Sequence, residues 1–127
     1  MALGKQIASW TYKITSTRYS PGPGKATTLQ LDMGGSVSGE MAGAGQGTLT
    51  AVGELGAKSG TWSWCGAIYL NDGGVIGTSG QGTVEEIGKH RWRLVGVAQT
   101  AEGRNVGVEA EGEFATQTLS GKLFEWK

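Results

Sequence analysis

Apolar and polar residues alternate along nearly the whole chain. Trp10, Tyr12 and Ile14 fall on one parity and Thr11, Lys13 and Thr15 on the other, which predicts a strand near Gln6–Tyr19. SPGPGK stops it, because two prolines and two glycines cannot continue a ladder. A second strand runs from about Ala26, with Leu29, Leu31, Met33 and Val37 on one face. A turn near Val37–Glu40 leads to a third strand carrying Met41, Gly43, Gly45, Gly47 and Leu49 on one parity. TWSWCGAIYL predicts a fourth, with Trp62, Trp64, Ile68 and Leu70 opposite Ser63, Cys65 and Tyr69. NDGG is a hairpin signal, since Asp-Gly and Gly-Gly supply positive φ.

The fifth strand, VIGTSGQGTVEEI, leaves its inner face ambiguous. In the sixth, HRWRLVGVAQT, His90, Trp92 and Leu94 share a face, and Arg91 and Arg93 take the other, which faces water. The seventh places Val106, Val108, Ala110 and Phe114 inward and Glu109, Glu111 and Glu113 outward, opposite those arginines. The last lies near Leu119–Trp126. No segment has a sustained helical period. The expectation is an all-β single domain over residues 1–127: an antiparallel up-and-down barrel of about eight strands, with a two-sheet sandwich as the alternative.

Composition sharpens this picture. Glycine supplies 24 of the 127 residues and tryptophan 5. GEMAGAGQG puts glycine at 39, 43, 45 and 47, all on one parity. A wall without side chains lets long strands coil, and it leaves space that either tryptophans fill or a cavity keeps. Lys plus Arg and Asp plus Glu each number 11, so there is no basic field for nucleic acid and no attraction to anionic membranes. Without an apolar leader or membrane span, the chain reads as cytoplasmic.

The run DMGGSVSGEMAGAG, the aromatic strand with Trp62, the DGG hairpin and the closing VEAEGEF strand resemble small bacterial β-barrels related to allene oxide cyclase, calycin-like and largely of unknown function. The resemblance covers about residues 6–118. It implies an eight-stranded barrel whose apolar cavity binds a hydrophobic, often polyunsaturated or polyketide-like molecule and folds it for cyclisation. It also implies no metal or other cofactor, and association as homodimers or homotrimers. Glu40 matches the Gly-Glu turn of the pattern, but a solvated turn carboxylate explains it as well. A lipocalin-like Gly-x-Trp signature is missing, since Ser9 precedes Trp10 and Gly4 is too distant.

Candidate chemistry is sparse. GAGQG and GTSGQG lack the spacing and the following helix of a phosphate loop. One histidine and one cysteine cannot build a zinc site, and Cys65 and His90 point to opposite faces by parity, which disfavours a catalytic dyad. The best constellation is Trp10, Tyr12, Trp62, Trp64 and Trp92, all on the inner parity and able to line a site for a small hydrophobic ligand. Tyr12 is the one phenol among them, and His90 lies on the same parity as Trp92, so these two are the candidate catalytic residues. The function expected is binding of a small hydrophobic molecule in an aromatic-lined barrel cavity, and the resemblance implies that this serves a cofactor-independent cyclase or isomerase. A non-catalytic carrier and a solid-core structural or oligomerisation barrel remain as alternatives.

Overall fold

The computed structural model describes residues 3–126. Eight strands follow one another in chain order: β1 (Leu3–Pro21), β2 (Thr27–Gly39), β3 (Gly43–Gly53), β4 (Ser59–Leu70), β5 (Val75–Gly88), β6 (Arg91–Thr100), β7 (Asn105–Glu113) and β8 (Thr118–Trp126). Each pairs antiparallel with its neighbour, and β8 returns to β1, so the sheet is a closed barrel with no open edge. The sandwich alternative is thereby excluded. No helix among the described residues is long and apolar enough to cross a membrane.

The meander defines two ends. The upper end carries the β2–β3, β4–β5 and β6–β7 turns, and the lower end the other four. Inward residues form one continuous core that includes Tyr12, Met33, Leu49, Trp62, Leu94, Val106 and Leu119.

Three sequence expectations need correction. Met41 is not on β3. It sits in the Glu40–Ala42 turn, where it is nonetheless buried, because the turn folds inward over the barrel's upper end. The first strand is longer than expected and its parity breaks, because its register shifts between Ile14 and Ser16. Beyond this bulge Thr17 and Tyr19 stand opposite Leu31 and Leu29 and follow their face. His90 does not point inward. It is an exposed turn residue with φ 55°, held there because the β5–β6 connection must reverse within two residues. The β5 ambiguity resolves with Ile76, Thr78, Gly80, Gly82 and Val84 on the less exposed face. The outward ladder between β6 and β7 is as read: Arg93 pairs with Glu109 at 3.1 Å, and Arg91 with Glu111 at 3.5 Å and Glu113 at 3.9 Å.

Candidate functional site: two stacked apolar cavities

The interior is not one pocket. Leu49, Trp62, Leu94 and Leu119 form a waist that lines a cavity on each side of it. The upper cavity has a volume of about 80 Å³ and the lower about 230 Å³. Trp10, Tyr12 and Trp64 belong to the upper cavity, Trp92 to the lower, and Trp62 to both. The five aromatics share the inner face, as their parity predicts, but they do not converge on one site.

The upper cavity is small because its rings lie on glycines. A methyl at Gly45 would overlap the Tyr12 hydroxyl, and one at Gly121 would overlap the Trp10 indole. At Gly47 and Gly66 it would come within 2.6 Å of the Trp64 ring, and at Gly96 within 2.8 Å of Trp62. The alternating glycines therefore make room for aromatic plates rather than for a ligand, the aromatic rescue of glycine across strands. Trp10, Tyr12 and Trp64 form a row with ring centroids 6.0 and 5.8 Å apart, the second pair stacked at 22°.

Polar atoms in this layer are partly accounted for. Trp62 Nε1 donates to the carbonyls of Thr83 (3.0 Å) and Val95 (3.2 Å), which ties β4 to β5 and β6. Trp64 Nε1 donates to Thr78 Oγ1 at 2.9 Å. Among the described residues, the N–H groups of Trp10 here and of Trp92 in the lower cavity are buried without a partner. Each such donor costs about 1–3 kcal/mol, and both are enclosed by protein rather than open to cavity space, so neither is a ready handle for a ligand. Burial pushes the Tyr12 phenol up to about 12, so it is neutral at physiological pH, as an ordinary phenol is, and a weaker acid than one in water.

The two ends differ in access. Above, the β2–β3 turn spans the mouth. Met41 lines the cavity, Glu40 pairs with Arg104 of the opposite β6–β7 turn at 3.5 Å, and Asn71 N–H donates to the Ala42 carbonyl at 3.0 Å. Below, Tyr19 and Leu55 stand 57% and 71% exposed at the rim of the larger cavity, whose walls include Leu29, Leu31, Met33 and Val84. Leu55 at this mouth lies in the β3–β4 turn, where strand parity carries no information about inside and outside, and its signal was being a large apolar residue within a polar loop. Phe114, expected inward on the seventh strand, lies in the turn after β7 and still lines the lower cavity. His90, exposed in the β5–β6 turn, lines neither cavity.

No protein-family model, curated protein or solved structure matches the chain.

Proposed function

We propose that the protein binds a small apolar molecule in the lower barrel cavity and shelters it from water. The observation that carries this reading is the 230 Å³ apolar space below the waist, rimmed by exposed Tyr19 and Leu55. That volume is below the roughly 300 Å³ at which drug-sized sites begin, so the ligand is compact rather than a long chain. The upper cavity is below the roughly 150 Å³ that accommodates benzene in an engineered apolar void. The resemblance to allene oxide cyclase-like barrels points toward the same ligand chemistry, on the footing of fold analogy.

Binding is favoured over turnover by the arrangement of polar groups. Tyr12, the proposed proton donor, lines the other cavity; at the lower one the titratable groups are Tyr19 and Glu54 at the exposed rim and Glu113, which is engaged with Arg91 at 3.9 Å. A cyclase reading needs the ligand within reach of an acid or base, and neither Tyr12 nor His90 offers that from the lower cavity.

The test is a titration of intrinsic tryptophan emission with a panel of compact apolar ligands, such as monoterpenes and substituted naphthalenes. Ala51→Phe narrows the lower cavity and Ala98→Phe the upper. The expected outcome is saturable quenching that Ala51→Phe weakens at least tenfold and Ala98→Phe leaves within twofold. Overpacking costs about 1–3 kcal/mol, so thermal melts verify that both variants are folded. The opposite pattern moves the site to the upper cavity, and no saturable response from any ligand overturns the proposal.

A further inference from the structure

Which ligand the lower cavity admits depends on the side chains that reach it. Among the described residues, the only charged ones lining it are two carboxylates, Glu54 in the β3–β4 turn and Glu113 at the end of β7. The lower end as a whole is nearly balanced in charge. Arg18, Lys25, Lys58, Lys89 and Arg91 lie on or beside its turns, and so do Glu85 and Glu86. None of these lines the cavity. Lys58 shares its turn with Glu54 and still stays off the lining, although Ala57 and Ser59 on either side of it belong to it. The negative sign therefore belongs to the mouth and not to the end.

The two carboxylates are not equivalent. Arg91 lies 3.9 Å from Glu113 and offsets its charge. Glu54 is exposed and makes no ion pair among the described residues. Aromatic rings accompany it, Tyr19 on the same rim and Trp92 and Phe114 on the lining. Low-dielectric walls focus the field of a carboxylate into the opening, where a cation is attracted and an anion repelled. The rings act in the same sense, since their faces attract ammonium groups. A ligand carboxylate would find no cation on the lining to pair with, so its partial desolvation would go uncompensated. A neutral ligand gains from apolar burial alone.

We infer that the lower cavity selects compact apolar amines, with the hydrocarbon body below the waist and the ammonium group at the mouth against Glu54. This inference rests on the binding reading above and adds a charge preference to it. The ammonium group keeps water on its outer side, as long cationic side chains do when only their stems are buried. Its attraction to an exposed carboxylate is therefore screened, and the selectivity is moderate, about five- to tenfold over a neutral ligand of the same shape.

Three probes with one phenylethyl body separate charge from shape: 2-phenylethylamine, a cation at neutral pH, 2-phenylethanol, and 3-phenylpropanoate, an anion. Calorimetric titration of the full chain at low salt compares them. The amine is expected to bind about fivefold or more tighter than the alcohol, and the carboxylate most weakly. Glu54→Gln brings the amine to within about twofold of the alcohol and leaves the alcohol unchanged. Glu102→Gln makes the same change of net charge in the β6–β7 turn at the upper end and keeps the amine preference. Both positions are exposed, and circular dichroism melts confirm the fold. Binding of the alcohol without an amine preference, tightest binding of the carboxylate, or an amine preference that Glu54→Gln leaves intact overturns the inference while the cavity reading stands. Binding of none of the three overturns both.

Discussion

Tyr12 and Gly45 show how one residue specifies another across the barrel. The ring occupies the volume a side chain at position 45 would need, so the two positions are coupled although β2 lies between their strands. Gly45→Ala is expected to destabilise by about 1–3 kcal/mol through overpacking. Tyr12→Phe removes the oxygen that makes the closest overlap, so the double variant should recover at least 0.5 kcal/mol relative to the sum of the singles, on the scale of contact couplings. Urea unfolding of the four-member cycle measures this, and strict additivity would show that the ring does not rest on the glycine. The same phenol gives a pH signature. Its folded-state value of about 12 exceeds that of the unfolded chain, so the folded state retains its proton where the unfolded state has lost it. Stability from this group is full below about pH 10 and is lost as pH rises toward 12, at most on the order of 2–3 kcal/mol. Tyr12→Phe should therefore lose less stability than the wild type between about pH 10 and 12, the window set by the phenol, as followed by denaturant midpoints.

At the scale of the strand, the β1 bulge aims the lower rim. Asp32 sits opposite it. Its carboxylate accepts from Ser16 Oγ and Thr48 Oγ1, both at 2.7 Å, and its carbonyl accepts from Thr15 Oγ1 at 3.1 Å, so one residue of β2 fastens the bulged strand to β3. The hydrogen bond from Ser16, then that from Thr48, holds the carboxyl below its ordinary value. What it contributes to stability is present above the unfolded-state pKa and fades as pH falls through the folded one. Ser16→Ala should return the carboxyl toward the ordinary aspartate range, a shift that carbon-detected NMR titration reads directly; an unmoved titration would mean the bulge is not held this way. This element also marks the limit of what alternation reveals. Strand order and the inward direction of Trp10, Trp62 and Leu94 were legible, because a period of two is local information. The parity break after Ile14 was not, since nothing in TSTRYS distinguishes an extra residue from a continued ladder, and with it went the placing of Tyr19 at the cavity rim. The division of the aromatics between two cavities was equally hidden. It depends on how the strands stagger around the barrel, and no single segment records that.

For the molecule as a whole, closure is the step that local pairing cannot supply. Seven of the eight strand pairs join neighbours through short turns, whereas β1–β8 joins Lys13 to Thr118 and Leu3 to Trp126. Closing a loop of about 100 residues rather than about 4 costs roughly 3 kcal/mol more in chain entropy. The meander must form first and bring its ends together, so β8 docks late. Leu119 is buried on β8 within the waist, and Gly121 lies under the Trp10 ring. Leu119→Ala should then cost about 2–5 kcal/mol at equilibrium. Most of that loss should appear as faster unfolding with little change in the folding rate, giving a φ-value near 0. Ile68, buried on β4 within the β4–β5 hairpin, provides the contrast. Its partner Ile76 is only eight residues away, so Ile68→Val should slow folding by a larger share of its effect. Stopped-flow chevrons of the two variants decide between this order and its reverse. A high φ-value at Leu119 would mean that the barrel closes around its waist before the meander is complete.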